Sequence, residues 1–253
     1  MRKLITGIIL LVFISSCASK KDILYLQDAD SANNSNVNYS DPVIQPNDIL
    51  KIDVATLVPE ASIPYNKTST RGAQVPNLQI MQIDGYLVSV DHNITFPVLG
   101  DIITKDLTTK ELEKVIKDKL VSGGHLLNPT VSVRLINAKV TVLGEVNQPG
   151  TFTFTEQNIT LLQALGYAGD LTINGKRDDI LVQREVEGIR RVSHIDLTSV
   201  SFIDSEFYFI KPNDIIIVNP NNPRVKNAGF IGNAGTVLTI ASLALSITIL
   251  LSR

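Results

Sequence analysis

Two uncharged apolar stretches bracket this chain, and together they decide in which compartment everything between them folds. The first, residues 4–14, follows a basic start at Arg2 and Lys3 and ends against Ser15, Ser16 and Cys17. A cationic opening, a short apolar run and small residues before a cut describe a secretory signal, and the run is too short to stay in a bilayer as a mature spanning helix. The second, residues 230–251, has no charge and lies between Arg224 and Lys226 on one side and Arg253 on the other. At about 1.5 Å per residue it would reach roughly 33 Å as a helix, enough to cross a hydrocarbon core. The body between them is expected outside the cytoplasm, attached to a membrane at both ends.

Cys17 is the sole cysteine. The run Ile14-Ser15-Ser16-Cys17 resembles the lipobox of bacterial lipoproteins: an aliphatic residue, two small ones, then the cysteine whose thiol is acylated before cleavage makes it the first residue. Residues 1–16 then form a lipoprotein signal peptide, and the only added group expected is a covalent lipid on Cys17, with no cofactor. With that thiol acylated there is no disulfide, thiolate metal site or cysteine nucleophile. The balance of 23 basic to 25 acidic residues has no basic stripe, which argues against a nucleic-acid partner. Tryptophan is absent, which weakens a glycan site built on stacked rings.

Residues 17–42 are expected to be the lipidated start and a flexible tether, because 28–42 is rich in Asn, Ser and Asp and offers little to bury. Order begins where Pro46, Asn47 and Asp48 form a turn into an alternating strand, with Leu50, Ile52 and Val54 on one side. Further strands are expected at 78–81, 86–90 and 94–96. A helix over 109–121 is capped by Thr108 with Glu111, buries Leu112, Val115, Ile116 and Leu120, and stops at Gly123-Gly124. A strand over 129–135 completes an α+β domain spanning 43–137.

A second unit, 138–220, opens with a strand at 139–146 and turns at Pro149-Gly150, which suit the middle of a type II turn. A strand at 151–154 follows, then a short helix begun by the Thr160 and Gln163 capping pair. Strands are expected near 180–182 and 192–195, with 174–179 a solvated turn between helix and strands. Pro212, Asn213 and Asp214 lead into 215–218 and echo Pro46, Asn47 and Asp48. Asp48 and Asp214 are read as turn caps rather than catalysts. The order suits a β-grasp.

The segment 221–253 is a linker and a helix over about 230–251. Gly232, Thr236, Thr239, Ser242 and Ser246 share about a third of its circumference at about 100° per residue. Two readings compete. In one, a plain span bonds its hydroxyls back to its own carbonyls. In the other, the stripe faces copies of the helix or a watery lumen. A lipid on Cys17 already anchors the chain, so a second membrane element calls for another purpose, and a pore built from a ring of helices supplies one.

No catalytic constellation stands out, so the chain is not read as an enzyme. His92, His125 and His194 are far apart with no metal-ligand spacing, Gly175-Lys176 lacks the glycines of a phosphate loop, and Asp178-Asp179 are neighbours rather than carboxylates across a cleft.

These motifs in this order resemble the outer-membrane polysaccharide export family, the Wza-type capsule and exopolysaccharide translocons. The export domain is similar through residues 44–52, Asp84-Gly85, Ile94-Thr95-Phe96-Pro97-Val98-Leu99-Gly100, Leu107-Thr108 and Asn128-Pro129-Thr130-Val131. The second unit is similar to a soluble-ligand-binding β-grasp (SLBB) domain through Val142-Leu143-Gly144-Glu145-Val146-Asn147-Gln148-Pro149-Gly150, Thr160-Leu161, Ala168-Gly169 and Pro212-Asn213-Asp214. The resemblance implies an outer-membrane lipoprotein with most of its chain in the periplasm and its C-terminus crossing the membrane. It implies a homo-oligomeric ring, octameric in the best-known members, through which capsular or extracellular polysaccharide passes. The partner it implies is an inner-membrane polysaccharide co-polymerase, often a tyrosine autokinase. One SLBB unit is found where the long members carry two, so a shorter ring stack is expected. The alternative from another class is a lipid-anchored envelope glycan-binding or scaffold protein without a pore.

Overall fold

A computed structural model describes residues 23–31, 36–37, 39, 41–67, 83–186, 188–222 and 234–251. Cys17, Gly232 and the strand expected at 78–81 lie outside the described residues.

In the first domain the alternation of apolar and polar residues builds β1 (Ile49–Ala55), which buries Leu50, Ile52 and Val54 and turns Lys51 and Asp53 outward. β2 (Tyr86–Leu87) pairs antiparallel on one side of it. The strand expected over 86–90 is shorter: beyond Leu87, Val88 still exchanges backbone bonds with Asn47 and Asp48, while Ser89 bonds to Asn93 O and His92 to Ser89 O, so the backbone turns there. It then enters the hairpin of β3 (Asn93–Phe96) and β4 (Gly100–Ile103). On its other side β1 pairs with β5 (Thr130–Leu135), Leu50 facing Leu135 and Ala55 facing Thr130.

The helix Thr109–Ser122 lies against this sheet. Its capping box is complete: Thr108 Oγ1 accepts from the Glu111 amide, and Glu111 Oε2 accepts from the Thr108 amide. Leu112, Ile116 and Leu120 are fully buried, each contributing about 1.5–3 kcal/mol of transfer free energy. Glu113 Oε1 accepts the Val133 amide at 2.9 Å, tying the helix to the edge strand.

The second domain runs β6 (Lys139–Gly144), β7 (Gly150–Thr153), β8 (Ile159–Thr160), the helix Leu161–Tyr167, β9 (Gly175–Val186), β10 (Ile189–Ile195), β11 (Phe209–Ile210) and β12 (Ile215–Pro220). Five of these strands form one sheet in the order β10, β9, β12, β6, β7, with β12 and β6 parallel and the other neighbours antiparallel. Leu161, Ala164 and Leu165 of the helix join Val140, Val142, Ile180, Val182, Ile216 and Val218 in one core. A short helix laid over a mixed sheet is the arrangement expected of a β-grasp. Gly144 is required where β6 meets β12, for its φ is +91° and a Cβ there would come within 2.1 Å of the Val218 carbonyl oxygen.

Three sequence expectations need correction. Pro149-Gly150 is not the middle of a tight turn: Val142 already faces Gly150, and residues 145–149 connect β6 to β7. β6 cannot turn early because Leu143 and Gly144 pair with Ile217 and Val218 of β12. Residues 174–179 are not a solvated turn either; β9 starts at Gly175, and the Arg177 side chain is buried. Asp179 accepts from Lys176 Nζ at 3.1 Å and contacts His194 Nδ1 across the β9–β10 pair.

The third correction concerns the tether. Asp28 belongs to a strap laid on the second domain, where the Leu26 amide donates to Leu197 O and the Gln27 amide to Thr198 O. Asp28 Oδ1 accepts the Val200 amide at 2.6 Å, and the Tyr25 hydroxyl donates to Asp170. Arg177 lies over the Tyr25 ring, 5.1 Å from its centroid. Backbone pairing to residues 197–198 satisfies groups that composition alone would leave to water.

The C-terminal helix covers Ala234–Leu251, 18 residues. No helix among the described residues is long and apolar enough to cross a membrane; residues 230–233 of the span expected over 230–251 lie outside the described residues.

Candidate functional site

The two echoing turns fold alike. Gln45-Pro46-Asn47-Asp48 and Lys211-Pro212-Asn213-Asp214 each close on a backbone bond from the aspartate amide to the first carbonyl, 3.1 and 3.2 Å. Each aspartate returns Oδ2 to the first residue's amide, Gln45 at 2.9 Å and Lys211 at 2.8 Å. Proline presets one φ, and the asparagines take the left-handed region at 70° and 69°, which that side chain tolerates. Both aspartates are buried.

Their surroundings differ. Among the described residues no cation stands beside Asp48, and burial pushes its carboxyl up to about 6 against the help of the Gln45 amide. The turn is held from outside by Asn137, between the domains, whose Nδ2 donates to Asn47 O at 2.9 Å and whose Oδ1 accepts the Ile49 amide at 2.8 Å.

Asp214 faces a buried arginine. Arg184 Nη2 donates to Asp214 Oδ2 at 2.7 Å and Nε to Oδ1 at 3.0 Å. The same guanidinium donates to Glu206 O and Phe209 O and lies 4.7 Å from the centroid of the Phe207 ring. Burial pushes the Asp214 carboxyl up from the ordinary range, and the Arg184 charge pulls the other way. Arg184 thus ties β9, the segment before β11 and the turn into β12 to one point. It was missed as a site residue, yet the signal was present: Ile180, Val182 and Arg184 fall on the same, buried face of β9.

The remaining sequence candidates are dispersed. Pro149 and Gly150 lie at the end of the β6–β7 connection. On the C-terminal helix Thr239 Oγ1 donates to Gly235 O, Ser242 Oγ to Thr239 O and Ser246 Oγ to Ser242 O. These hydroxyls satisfy themselves within the helix, as the plain reading of the stripe expects. Nothing is described of the Thr236 side chain, and Cys17 and Gly232 are outside the described residues. Among the described residues no three His, Cys, Asp or Glu could hold a metal ion.

The two ends of the second domain approach one loop. The strap's Tyr25 bonds Asp170, while beyond β12 the Asn221 amide donates to Asn174 O and its Nδ2 to Ile173 O. Arg177 links these contacts, since its Nη1 donates to Thr172 O and Gly175 O.

Comparison with known proteins follows the same division. Residues 36–136 match the model of the polysaccharide biosynthesis/export protein family, and residues 138–218 match that of the SLBB domain. Over 169 residues, 62% of this chain, the sequence is 28% identical to the EPS I polysaccharide export outer membrane protein EpsA of Ralstonia solanacearum. Over 86 residues, 33% of this chain, it is 34% identical to the EpsA protein of Ralstonia nicotianae, described in the same words. The matched regions cover 42% and 23% of those relatives, less than half of either.

Proposed function

The chain belongs to the polysaccharide export family, and from that membership we propose that it is a non-enzymatic subunit of an outer-membrane conduit for capsular or extracellular polysaccharide. The observation that carries this reading is the uninterrupted order of export domain and SLBB domain, matched to a family whose relatives are named as outer-membrane export proteins. In this reading several copies form a ring, polymer passes through its middle, and an inner-membrane co-polymerase delivers it.

The strap adds a geometric argument. Tyr25 is only eight residues beyond Cys17, at most about 30 Å of extended chain, and it docks beside the loop where the chain leaves for the C-terminal helix. A lipid on Cys17 and the C-terminal helix would therefore meet the membrane from the same edge of the second domain, leaving the export domain farther into the periplasm. The helix would enter the membrane as one of a ring of copies and would depend on its neighbours to complete a passage.

The back-bonded hydroxyls favour a second reading, a lipid-anchored glycan-binding scaffold without a pore. The size of the detergent-extracted mature protein separates the two. Uniform ring particles in electron micrographs, together with loss of surface polymer on deletion, support the conduit; a strictly monomeric species overturns it.

A further inference from the structure

The five-stranded sheet of the second domain ends in two different edges, β10 and β7, and among the described residues no strand pairs with either. On β7 the Phe154 amide donates to Ala138 O, so Phe152 and Gly150 bond to β6, while the backbone groups of Thr151 and Thr153 point away from the sheet. Across the sheet, the Thr141 amide donates to Asp214 O and the Glu145 amide to Val218 O, which turns Ile215 and Ile217 toward β9. Their partners Gln183 and Leu181 therefore face β12, and Arg184, Val182 and Ile180 bond to β10. That leaves the backbone groups of Arg190, Val192 and His194 pointing outward at the other edge.

β10 is seven residues long without a proline, and its Ile189 and Val192 are 58% and 57% exposed. The chain covers this edge only past the strand's end, where Leu26 and Gln27 bond to Leu197 and Thr198. A long open edge is a template for another strand. Which strand fits it follows from direction and register. β10 runs with β12 and β6, and β7 runs against them, so a second copy in the same orientation would lay its β7 antiparallel along β10. Followed across the sheet, Val192 lies level with Gln183, Ile215, Thr141 and Thr151. Copies standing side by side would thus set Val192 against Thr151 and Arg190 against Thr153, outward groups meeting outward groups in one pleat.

The side chains agree. Arg191, on the core-side face with Arg184, would come opposite Phe152, on the core-side face with Val140. Phe152 stacks on Tyr167, and Glu156 lies beside the Tyr167 hydroxyl. Arg191 is exposed and has no ion-pair partner among the described residues, so this aromatic and acidic corner of a neighbour would answer its charge. Ile189 would be covered by the neighbour's chain at Phe154. Two β10 edges would instead bring together the Arg190-Arg191 pairs of both copies, which like charge disfavours.

We propose that copies of this chain join edge to edge, β10 of one antiparallel to β7 of the next, so that their second-domain sheets continue into one another. Because the two edges differ, the contact is heterologous, and its repetition closes a ring or runs on as a filament. The proposal deepens the conduit reading and rests on it for the closure into a ring; the edges supply the contact.

Within one chain, residues 151 and 192 are four strand spacings apart, roughly 19 Å, beyond the reach of a short thiol-to-thiol linker. The mature full chain carrying Val192→Cys and Thr151→Cys is extracted in detergent and treated with such a linker, with the chain bearing Cys17 alone as the blank. A ladder of covalent multimers is expected from the double variant and none from either single one. Arg191→Glu is expected to weaken association about tenfold at an unchanged thermal midpoint, and adding Glu156→Arg to restore it. No ladder, a dimer from Val192→Cys alone, or association untouched by Arg191→Glu overturns the proposal. Rings in micrographs without a ladder sink only this contact. A ladder from a chain whose deletion leaves surface polymer unchanged sinks only the conduit.

Discussion

The Pro-Asn-Asp turns of the two domains have nearly identical backbones, yet their aspartates live in different electrostatic surroundings. Asp48 is buried with amide help alone and held by a neighbouring asparagine, whereas Asp214 sits in a fork of Arg184 donors. Four residues are enough to set a turn. What the buried carboxylate costs or contributes is set by its surroundings, burial with only the Gln45 amide for Asp48 and the distant Arg184 for Asp214.

The sharpest way to break this contrast is Arg184→Met. It leaves Asp214 buried without its cation, and a loss of about 3–5 kcal/mol is expected by chemical denaturation. Adding Asp214→Asn should recover part of it, since the pair would then be removed rather than broken. A loss below about 1 kcal/mol for Arg184→Met would mean that the second turn does not depend on its arginine.

Asp48 should behave in the opposite sense. Its folded carboxyl keeps its proton up to about 6 against an ordinary 3.8, so the folded state binds more protons between those values. Stability from this group is present below about pH 4 and falls as pH rises through about 6. Asp48→Asn keeps an oxygen for the Gln45 amide and removes the buried charge. It should stabilise the first domain by up to about 3 kcal/mol at pH 7 and by nothing near pH 3. Thermal melts of both proteins across that range check this, and an advantage that does not grow with pH would contradict it.

The smallest effect is expected at Asn137. Replacing it with alanine removes both bonds to the first turn and should cost about 1–2 kcal/mol while leaving the second domain untouched. Hydrogen exchange at the Ile49 amide, which Asn137 Oδ1 covers, should quicken if the asparagine is the outer clamp.

Much of the fold was legible because it rests on local rules. Thr108 with Glu111 and Thr160 with Gln163 start their helices as capping boxes, and alternation placed Leu50, Ile52, Val54, Val131 and Val133 inside. The failures come where a distant partner overrules the local preference. Pro149-Gly150 would suit a tight turn, but β12 holds Leu143 and Gly144 in the sheet. Asp28 reads as linker until Val200 and Ser199 donate to it. Arg177, in a run of charges, reads as solvated, yet it reaches Thr172 and Gly175 under Tyr25.

By itself the sequence determined where chain segments start, stop and alternate, and from the order of those motifs a family resemblance that the comparisons bear out. Capping, left-handed asparagines and two-residue alternation act within a few bonds, so neighbours suffice to specify them. Only the tertiary structure decided that a polar strap docks on the second domain and that Arg184 answers Asp214. Burial and charge pairing depend on which surfaces meet, and those contacts join residues as much as 172 positions apart.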